Sequence, residues 1–275
     1  MKLSIITINY NNLEGLRKTI ESVVNQTWRD FEYIIIDGGS TDGSLDVIKE
    51  YSDKIDYWVS EPDRGVYHAM NKGIDVANSE YCIFINSGDC LYCKETLSLI
   101  ATQLDVASII VGTLHLDTGE EWLAPREITL PYLYESSLPH PASFIKTSLL
   151  KKYHYDEELR IVSDWKFWVQ ILLMDGESYS PLDQIVSIFD TSGISMSNVE
   201  LAKKERIHVL ENEFSPIIFK YFKKTVEGYD AQLYNLIRES KYRSIFYMIN
   251  VSLIKLFCAV NRKSWGKRFP FKLDM

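Results

Sequence analysis

At 275 residues the chain can hold one sizeable α/β domain with an appendage, or two small domains, and a chain this long needs neither disulfides nor a metal to fold. Its composition, 46% hydrophobic and 25% charged, is ordinary for a globular protein, with 17 Tyr and 6 Trp running high. The net charge of −8 is unevenly spread: residues 215–275 carry 12 Lys/Arg against 4 Asp/Glu, and the remainder 18 against 34. Such an acidic body argues against nucleic-acid binding, while the basic tail points to an anionic partner.

Four cysteines, Cys82, Cys90, Cys93 and Cys258, do not make a disulfide framework in a chain this size. Cys90 and Cys93 have CxxC spacing, but no second pair and no His at zinc spacing accompanies them, so two incidental thiols around a strand end are expected. The opening "MKLSIITINYNN" turns polar too soon for a secretory core, and the expected setting is the reducing cytoplasm.

The first 120 residues alternate apolar β-type runs with amphipathic stretches. A strand is predicted over 3–8, then a helix over 13–26 with Leu13, Leu16, Ile20, Val23 and Val24 at helical spacing. Strand 31–37, helix 44–52, strand 56–61, helix 65–77, strand 81–86, helix 94–104 and strand 107–116 follow. Continuous rather than alternating apolar runs belong to strands covered on both faces, as in a mostly parallel sheet. Beyond 120 the pattern is less regular: a loop entering a strand at 138–145, a helix over 163–174 with Ser163 as its N-cap, and a strand over 179–190. From about 198 the chain reads as helical and basic. The predicted organisation is an α/β, Rossmann-like domain over 1–197 with a helical C-terminal region over 198–275.

In such sheets ligands bind beyond the carboxyl ends of the strands, where strand order reverses. The four predicted tips are polar: Asn9-Tyr10-Asn11, Asp37-Gly38-Gly39-Ser40, Glu61-Pro62-Asp63-Arg64-Gly65 and Ser87-Gly88-Asp89. Gly, Asp and Ser form turns in any case, but acids at three of four tips point to a site. No GxGxxG follows the first strand, no Lys-Ser/Thr ends the Gly-rich "DGGSTDGS", and no Gly-x-Ser-x-Gly elbow occurs. Separate carboxylates beside a phosphate-bearing ligand make sense where a divalent cation, Mn2+ or Mg2+, bridges them.

The pieces "SIITINYNN" (4–12), "TIESVVNQTWRDFEYIIIDGGSTDGS" (19–44), "EPDRGVYHAMNKGIDVANSEYCIFINSGD" (61–89) and "SDWKFW" (163–168) together resemble family 2 glycosyltransferases of the GT-A fold. The resemblance covers about the first 190 residues. It implies a nucleotide-sugar donor, commonly a UDP-sugar, with Asn9, Tyr10, Asp37, Asp63 and Arg64 around the nucleoside. Asn71, Lys72, Ser87, Gly88 and Asp89 would lie by the donor sugar and diphosphate. Asp89 matches the last acid of the Asp-x-Asp-type element and is the implied metal ligand. Asn86, Ser87 and Gly88 stand where relatives often have another acid, so the metal set is incomplete in sequence. The resemblance also implies that Asp164 is the catalytic base of an inverting transfer, with His140 and Trp165 lining an acceptor pocket. Helical spacing places at least one of Trp165 and Trp168 in the core. Arg64 and Lys72 read equally well as solvated helix-face charges, and His68 as structural.

The segments 215–224 and 241–268 combine basic and aromatic residues, and 245–260 is short and polar for a membrane span. They fit an interfacial helix beside anionic lipid, or a helix packed on protein. The expected function is sugar transfer from a nucleotide-sugar to a saccharide or lipid-linked saccharide in polysaccharide assembly, peripheral to the inner face of the cell membrane. The alternative is a non-catalytic nucleotide-sugar-binding or membrane-docking protein of the same fold.

Overall fold

Seven consecutive buried residues make β1 (Leu3–Asn9) the centre of the sheet. In the computed structural model, which describes residues 1–192, 198–213, 216 and 220, α1 (Leu13–Val24) leads from it to β2 (Phe31–Asp37). Then come α2 (Ser44–Glu50), β3 (Tyr57–Ser60), α3 (Val66–Val76) and β4 (Tyr81–Phe84). β5 (Cys90–Leu91), α4 (Thr96–Ile100), β6 (Ile109–Leu116), β7 (Glu121–Trp122) and α5 (Leu130–Glu135) carry the chain to β8 (Ser143–Lys146). The described fold closes with α6 (Thr147–Tyr153), α7 (Ser163–Val169), β9 (Tyr179–Phe189) and α8 (Val199–Glu213).

The strands form one sheet in the order β3-β2-β1-β4-β8-β6-β9-β5, with β7 paired to β6. β1, β2, β3 and β4 run parallel, so their carboxyl ends share one edge, and Asn9 stands opposite Asp37 and Asp37 opposite Ser60. The chain moves outward from β1 to β2 and β3, then crosses back to β4, which places the order reversal between β1 and β4. Beyond β4 the sheet becomes mixed: β8 is antiparallel to both β4 and β6, and β6 pairs parallel with β9. The run at 107–116 therefore does not extend the parallel set. The segment entered at residue 138 inserts between β4 and β6, a long-range pairing that local hydrophobic pattern cannot specify.

Alternate side chains of each strand enter opposite layers. Ile5, Tyr33, Ile35 and Ile83 pack with Leu16, Ile20, Val23, Val47 and Ile48 on one face. Ile6, Ile8, Ile34, Ile36 and Phe84 pack with Met70, Ile74, Leu150, Phe167 and Trp168 on the other. This two-sided burial explains the unbroken apolar runs. Helix–sheet approach is closest at Gly73, where a Cβ would lie 2.5 Å from Ile6 Cγ2.

Several boundaries differ from expectation. The 94–104 helix is α only over Thr96–Ile100, then tightens to a 3-10 turn at Ala101–Gln103. The 163–174 helix widens to a π-helical turn at Gln170–Met174. Ser163 is not the N-cap of α7: Val162 holds that position and the Ser163 hydroxyl has no partner. Instead the Glu205 carboxylate accepts from the N–H groups of Arg160, Ile161 and Val162 at 2.9, 3.0 and 3.2 Å. The chain resolves into two compact units, Met1–Ser215 and Pro216–Met275, so α8 belongs with the first unit rather than with a region beginning at 198. Nearly all of the second unit, including the basic aromatic segments, lies outside the described residues.

Candidate active site

Asp37 organises the corner above β1, β2 and β3. It is fully buried, and its carboxylate accepts from Asn9 Nδ2 (2.8 Å), Ser40 Oγ (2.6 Å), Ser40 N (3.0 Å) and Ser60 Oγ (2.6 Å). Burial alone would raise its pKa, but these donors win and hold it below the usual carboxylate value. Asn9 is thereby committed to Asp37, leaving its Oδ1 buried without a partner. Gly38 follows, and a Cβ there would lie 3.1 Å from the Tyr10 ring and 3.2 Å from Asp63 Oδ2. Tyr10, 69% exposed, thus offers an open aromatic face beside Asp63. Asp63 is itself paired with Lys72 Nζ at 2.6 Å and approached by His68 Nδ1 at 3.2 Å.

The 86–89 loop is pinned from below by Thr19 of α1. Its hydroxyl lies 2.6 Å from the Asp89 carbonyl and 3.2 Å from the Asn86 carbonyl, and accepts from Gly88 N–H at 3.1 Å. The Ser87 carbonyl accepts from Asn12 Nδ2 at 3.1 Å. Gly88 has φ +108°, and a Cβ there would meet Asp190 Oδ2 at 2.6 Å. Both facts require glycine. Asp89, only 4% exposed, accepts the Asp190 N–H on Oδ1 at 2.9 Å. Burial pushes its carboxyl up to about 7; the Asp190 charge adds to the rise, while the Asp190 N–H and the Lys18 charge oppose it.

Asp164 opens α7 across from this loop. Its Oδ1 lies 3.2 Å from the Tyr67 hydroxyl, which also donates to the Ile161 carbonyl at 2.6 Å. Its Oδ2 is 4.0 Å from His140 Nδ1, and His140 Nε2 is 3.0 Å from Asn86 Nδ2. Burial pushes the His140 imidazole down to about 4. The ring is therefore neutral, and an Asn86 amide donating to Nε2 assigns the proton to Nδ1, on the Asp164 side. Burial also raises the pKa of Asp164, against the α7 backbone, Tyr67 and the charge of Arg206. Its side chain remains 18% exposed, so a hydroxyl can reach it.

The structure brings together Asn9, Tyr10, Asp37 and Asp63 at one corner, Ser87, Gly88 and Asp89 at the next, and links His140 and Asp164 to the latter through Asn86. Other expected contacts are redirected. Asn71 donates to the Tyr155 carbonyl and accepts its N–H, both at 2.8 Å, so its amide is saturated by the backbone rather than offered to a sugar. Arg64, its side chain largely exposed, pairs with Glu157 at 2.5 Å. Lys72 is held by Asp63 and Glu61. Trp165 is 1% exposed and donates to the Leu133 carbonyl, so neither it nor the fully buried Trp168 presents a stacking face to an acceptor.

Thr19, Lys18 and Asp190 join the site without having been singled out, and Asn86, noted in sequence only as a departure from the family's acid element, joins it through His140. Asp190 carries the same signal as Asp37 and Asp89, an acid at the end of an apolar strand, whereas Thr19 sits mid-helix and has no local signature. Cys90 and Cys93 are free thiols. Among the described residues no set of three or more His, Cys, Asp or Glu side chains gathers as a closed metal centre.

Residues 4–164 match the sequence profile of Glycosyl transferase family 2. The chain belongs to this family. The glycosyltransferase is 28% identical over 172 residues to a PGL/p-HBAD biosynthesis glycosyltransferase of Mycobacterium bovis, covering 60% of this chain and 67% of that one. It is 30% identical over 201 residues to an uncharacterized glycosyltransferase of Mycobacterium tuberculosis, covering 70% and 76%. In three dimensions it resembles residues 1–349 of S. aureus TarS in complex with UDP-GlcNAc, with a TM-score of 0.64, 22% identity, and 81% and 70% of the two chains covered. It likewise resembles the mannosyltransferase PcManGT of Pyrobaculum calidifontis in complex with GDP-Man and Mn2+, with a TM-score of 0.61, 14% identity, and 93% and 80% covered. It spans 42% of the chain in a second crystal structure of S. aureus TarS. These likenesses establish the GT-A fold, and the family establishes a glycosyltransferase.

The Asn71 geometry gives a direct check. Replacement by Ala strands both Tyr155 backbone groups, each worth about 1–3 kcal/mol when buried unpaired. Asn71→Ala is therefore expected to lower stability by about 2–6 kcal/mol in chemical denaturation while leaving UDP-sugar affinity unchanged. Lost UDP-sugar affinity at full stability would return Asn71 to the donor site.

Proposed function

We propose that the enzyme is an inverting glycosyltransferase that uses a UDP-sugar and a saccharide or lipid-linked saccharide acceptor in polysaccharide assembly. The observation that carries this reading is the Asn86–His140–Asp164 chain, which sets a partly exposed carboxylate of raised pKa against the loop that bears Asp89. The exposed Tyr10 ring and the Asp37-ordered loop form a corner suited to a stacked base and its ribose. The UDP and UDP-GlcNAc complexes of TarS support this choice of donor.

In the reaction, Asp164 takes the proton of the acceptor hydroxyl as its oxygen bonds to the anomeric carbon. The bond from that carbon to the diphosphate oxygen breaks on the opposite face, and the nucleoside diphosphate leaves with the electron pair. Lys18, whose Nζ lies 3.4 Å from the Gly88 carbonyl, stands where negative charge develops. The Tyr67 hydroxyl keeps Asp164 oriented, and His140, neutral and 4.0 Å away, does not compete for the proton.

The residues present also fit a divalent cation. Asp89 is buried beside the like-charged Asp190, whose carboxylate lies over the open face of Gly88, and two such oxygens suit a cation that completes its shell with phosphate and water. Asp89 and Asp190 would hold it, and it would neutralise charge on the leaving diphosphate. The Mn2+ complex of PcManGT supports this. We also place the protein at the cytoplasmic face of the membrane, held by the basic segment 215–268, because that segment concentrates positive charge and aromatics.

Asp164→Asn is expected to lower nucleotide release from UDP-sugars by about 10²–10⁴ with UDP affinity intact. The acid limb of wild-type turnover should lie above the ordinary Asp value, because the base works only when ionised and burial raises its pKa. Unchanged turnover in the Asn variant rejects the assignment. For the cation, calorimetric titration of Mn2+ into the UDP complex should show weakened binding in both Asp89→Asn and Asp190→Asn, and wild-type affinity in either removes that residue from the site. For the membrane, deleting 215–275 should move the protein from the membrane to the soluble fraction. A full-length protein that is soluble from the outset ends that proposal.

A further inference from the structure

The three successive backbone N–H groups of Arg160, Ile161 and Val162 converge on one spot just before α7, a concave cradle of the kind that holds an anion. Glu205 of α8 fills it: Oε1 accepts from Arg160 at 2.9 Å, and Oε2 from Ile161 and Val162 at 3.0 and 3.2 Å. An entry turn of this kind is ordinarily closed by a Ser, Thr, Asp or Asn at the N-cap itself. Here that position is Val162, which has no side-chain acceptor to give. The acceptor comes instead from a residue forty-three positions away, on a helix outside the segment matched by the family profile.

Asp164 follows this cradle by two residues. The Ile161 peptide group is held at both ends, its N–H by Glu205 and its carbonyl by the Tyr67 hydroxyl at 2.6 Å, and that hydroxyl lies 3.2 Å from Asp164 Oδ1. Glu205, the Ile161 peptide, Tyr67 and Asp164 therefore form one connected series in which no link exceeds 3.2 Å. Helix α8 also grips the residues just beyond Asp164. The Arg206 guanidinium lies 5.2 Å from the centroid of the Trp165 ring, and Lys166 pairs with Glu213 at the far end of α8. Val209 and Leu210, both buried, seat the helix between these points. The chain on either side of Asp164 is thus fastened to the same helix.

We propose that Glu205 is a positioning residue for sugar transfer: by filling the 160–162 cradle it fixes where α7 begins, and so where the Asp164 carboxylate meets the acceptor hydroxyl. This inference rests on the reading of Asp164 as the base. No bond or proton changes at Glu205; its charge is spent on three backbone N–H groups, the strong, charge-assisted kind of hydrogen bond. A base must stand within hydrogen-bond reach of the proton it takes, and α8 sets that reach without touching the substrate.

The test is a double-mutant cycle in the full chain, read as nucleotide release from the UDP-sugar that the wild-type protein hydrolyses fastest, with UDP affinity measured by calorimetry. Glu205→Ala empties the cradle. Glu205→Gln keeps one acceptor oxygen, loses the charge, and carries the test where Ala does not fold, with thermal melting confirming fold in both. Turnover in Glu205→Ala is expected to fall by about tenfold to a hundredfold, the loss that follows from misplacing a reacting group by up to about an ångström. Glu205→Gln should lose less, and UDP affinity should stay at the wild-type value in both. Added to Asp164→Asn, either substitution should cost no further turnover, because the group it displaces no longer takes a proton. A merely structural role would lower turnover by the same factor in both backgrounds. That equal loss overturns the inference, as does wild-type turnover in a folded Ala variant, or failure of both variants to fold. The two readings fail separately: full turnover in Asp164→Asn sinks the base, whereas an impaired Asp164→Asn that loses the full factor again on adding Glu205→Ala sinks only the role of Glu205.

Discussion

A carboxylate with no access to water holds the carboxyl edge of this sheet together. Asp37 collects donors from β1, through Asn9, from β3, through Ser60, and from its own loop, through Ser40. Parallel register makes this possible, since Asn9, Asp37 and Ser60 fall at one level across three strands. A buried charge left unpaired would cost several kcal/mol, so the three strand ends and the following loop are locked as a unit. The Tyr10 face and the close approach of Asp63 to Gly38 are consequences of that lock.

Three acids of the same chemical type receive three different environments. Asp37 is saturated by donors and stays ionised as structure. Asp89 is buried beside Asp190, and burial first, then that second charge, push its carboxyl up against the Asp190 N–H and the Lys18 charge. Asp164 is raised by burial but keeps part of its surface open, with the Tyr67 hydroxyl on one oxygen and a neutral histidine nearby. Environment, not residue identity, divides the labour among hub, diphosphate-side acid and base. The neutral His140 matters because it bonds Asn86 of the Asp89 loop and stands 4.0 Å from Asp164 without adding a charge that would perturb either.

The parallel half of the sheet was legible because its signals are local. Apolar runs buried on both faces and helices of regular period predicted β1 to β4 and α1 to α3 to within a few residues. The polar tips could be read as one set because strands in a parallel βαβ arrangement end on the same side. The mixed half was not legible: β8 enters between β4 and β6 through pairings that span dozens of residues and leave no periodic trace. Asn71, Arg64 and Lys72 looked like ligand residues because polar groups in a motif-dense segment invite that reading. Packing gives the Asn71 amide to the Tyr155 backbone, while Arg64 and Lys72 pair with Glu157 and Asp63 at the surface of the site.

The sequence by itself determined the α/β class, the family, and the identity of Asp37, Asp89 and Asp164 as acids at element ends. Each of these is written in contiguous residues, through period, turn chemistry and motif. Only the tertiary structure decided that Asp190 lies against Asp89 and that Thr19 pins the loop from beneath. These contacts join residues roughly seventy to one hundred positions apart. Their existence depends on burial and register across the whole sheet, quantities that no short stretch of chain encodes.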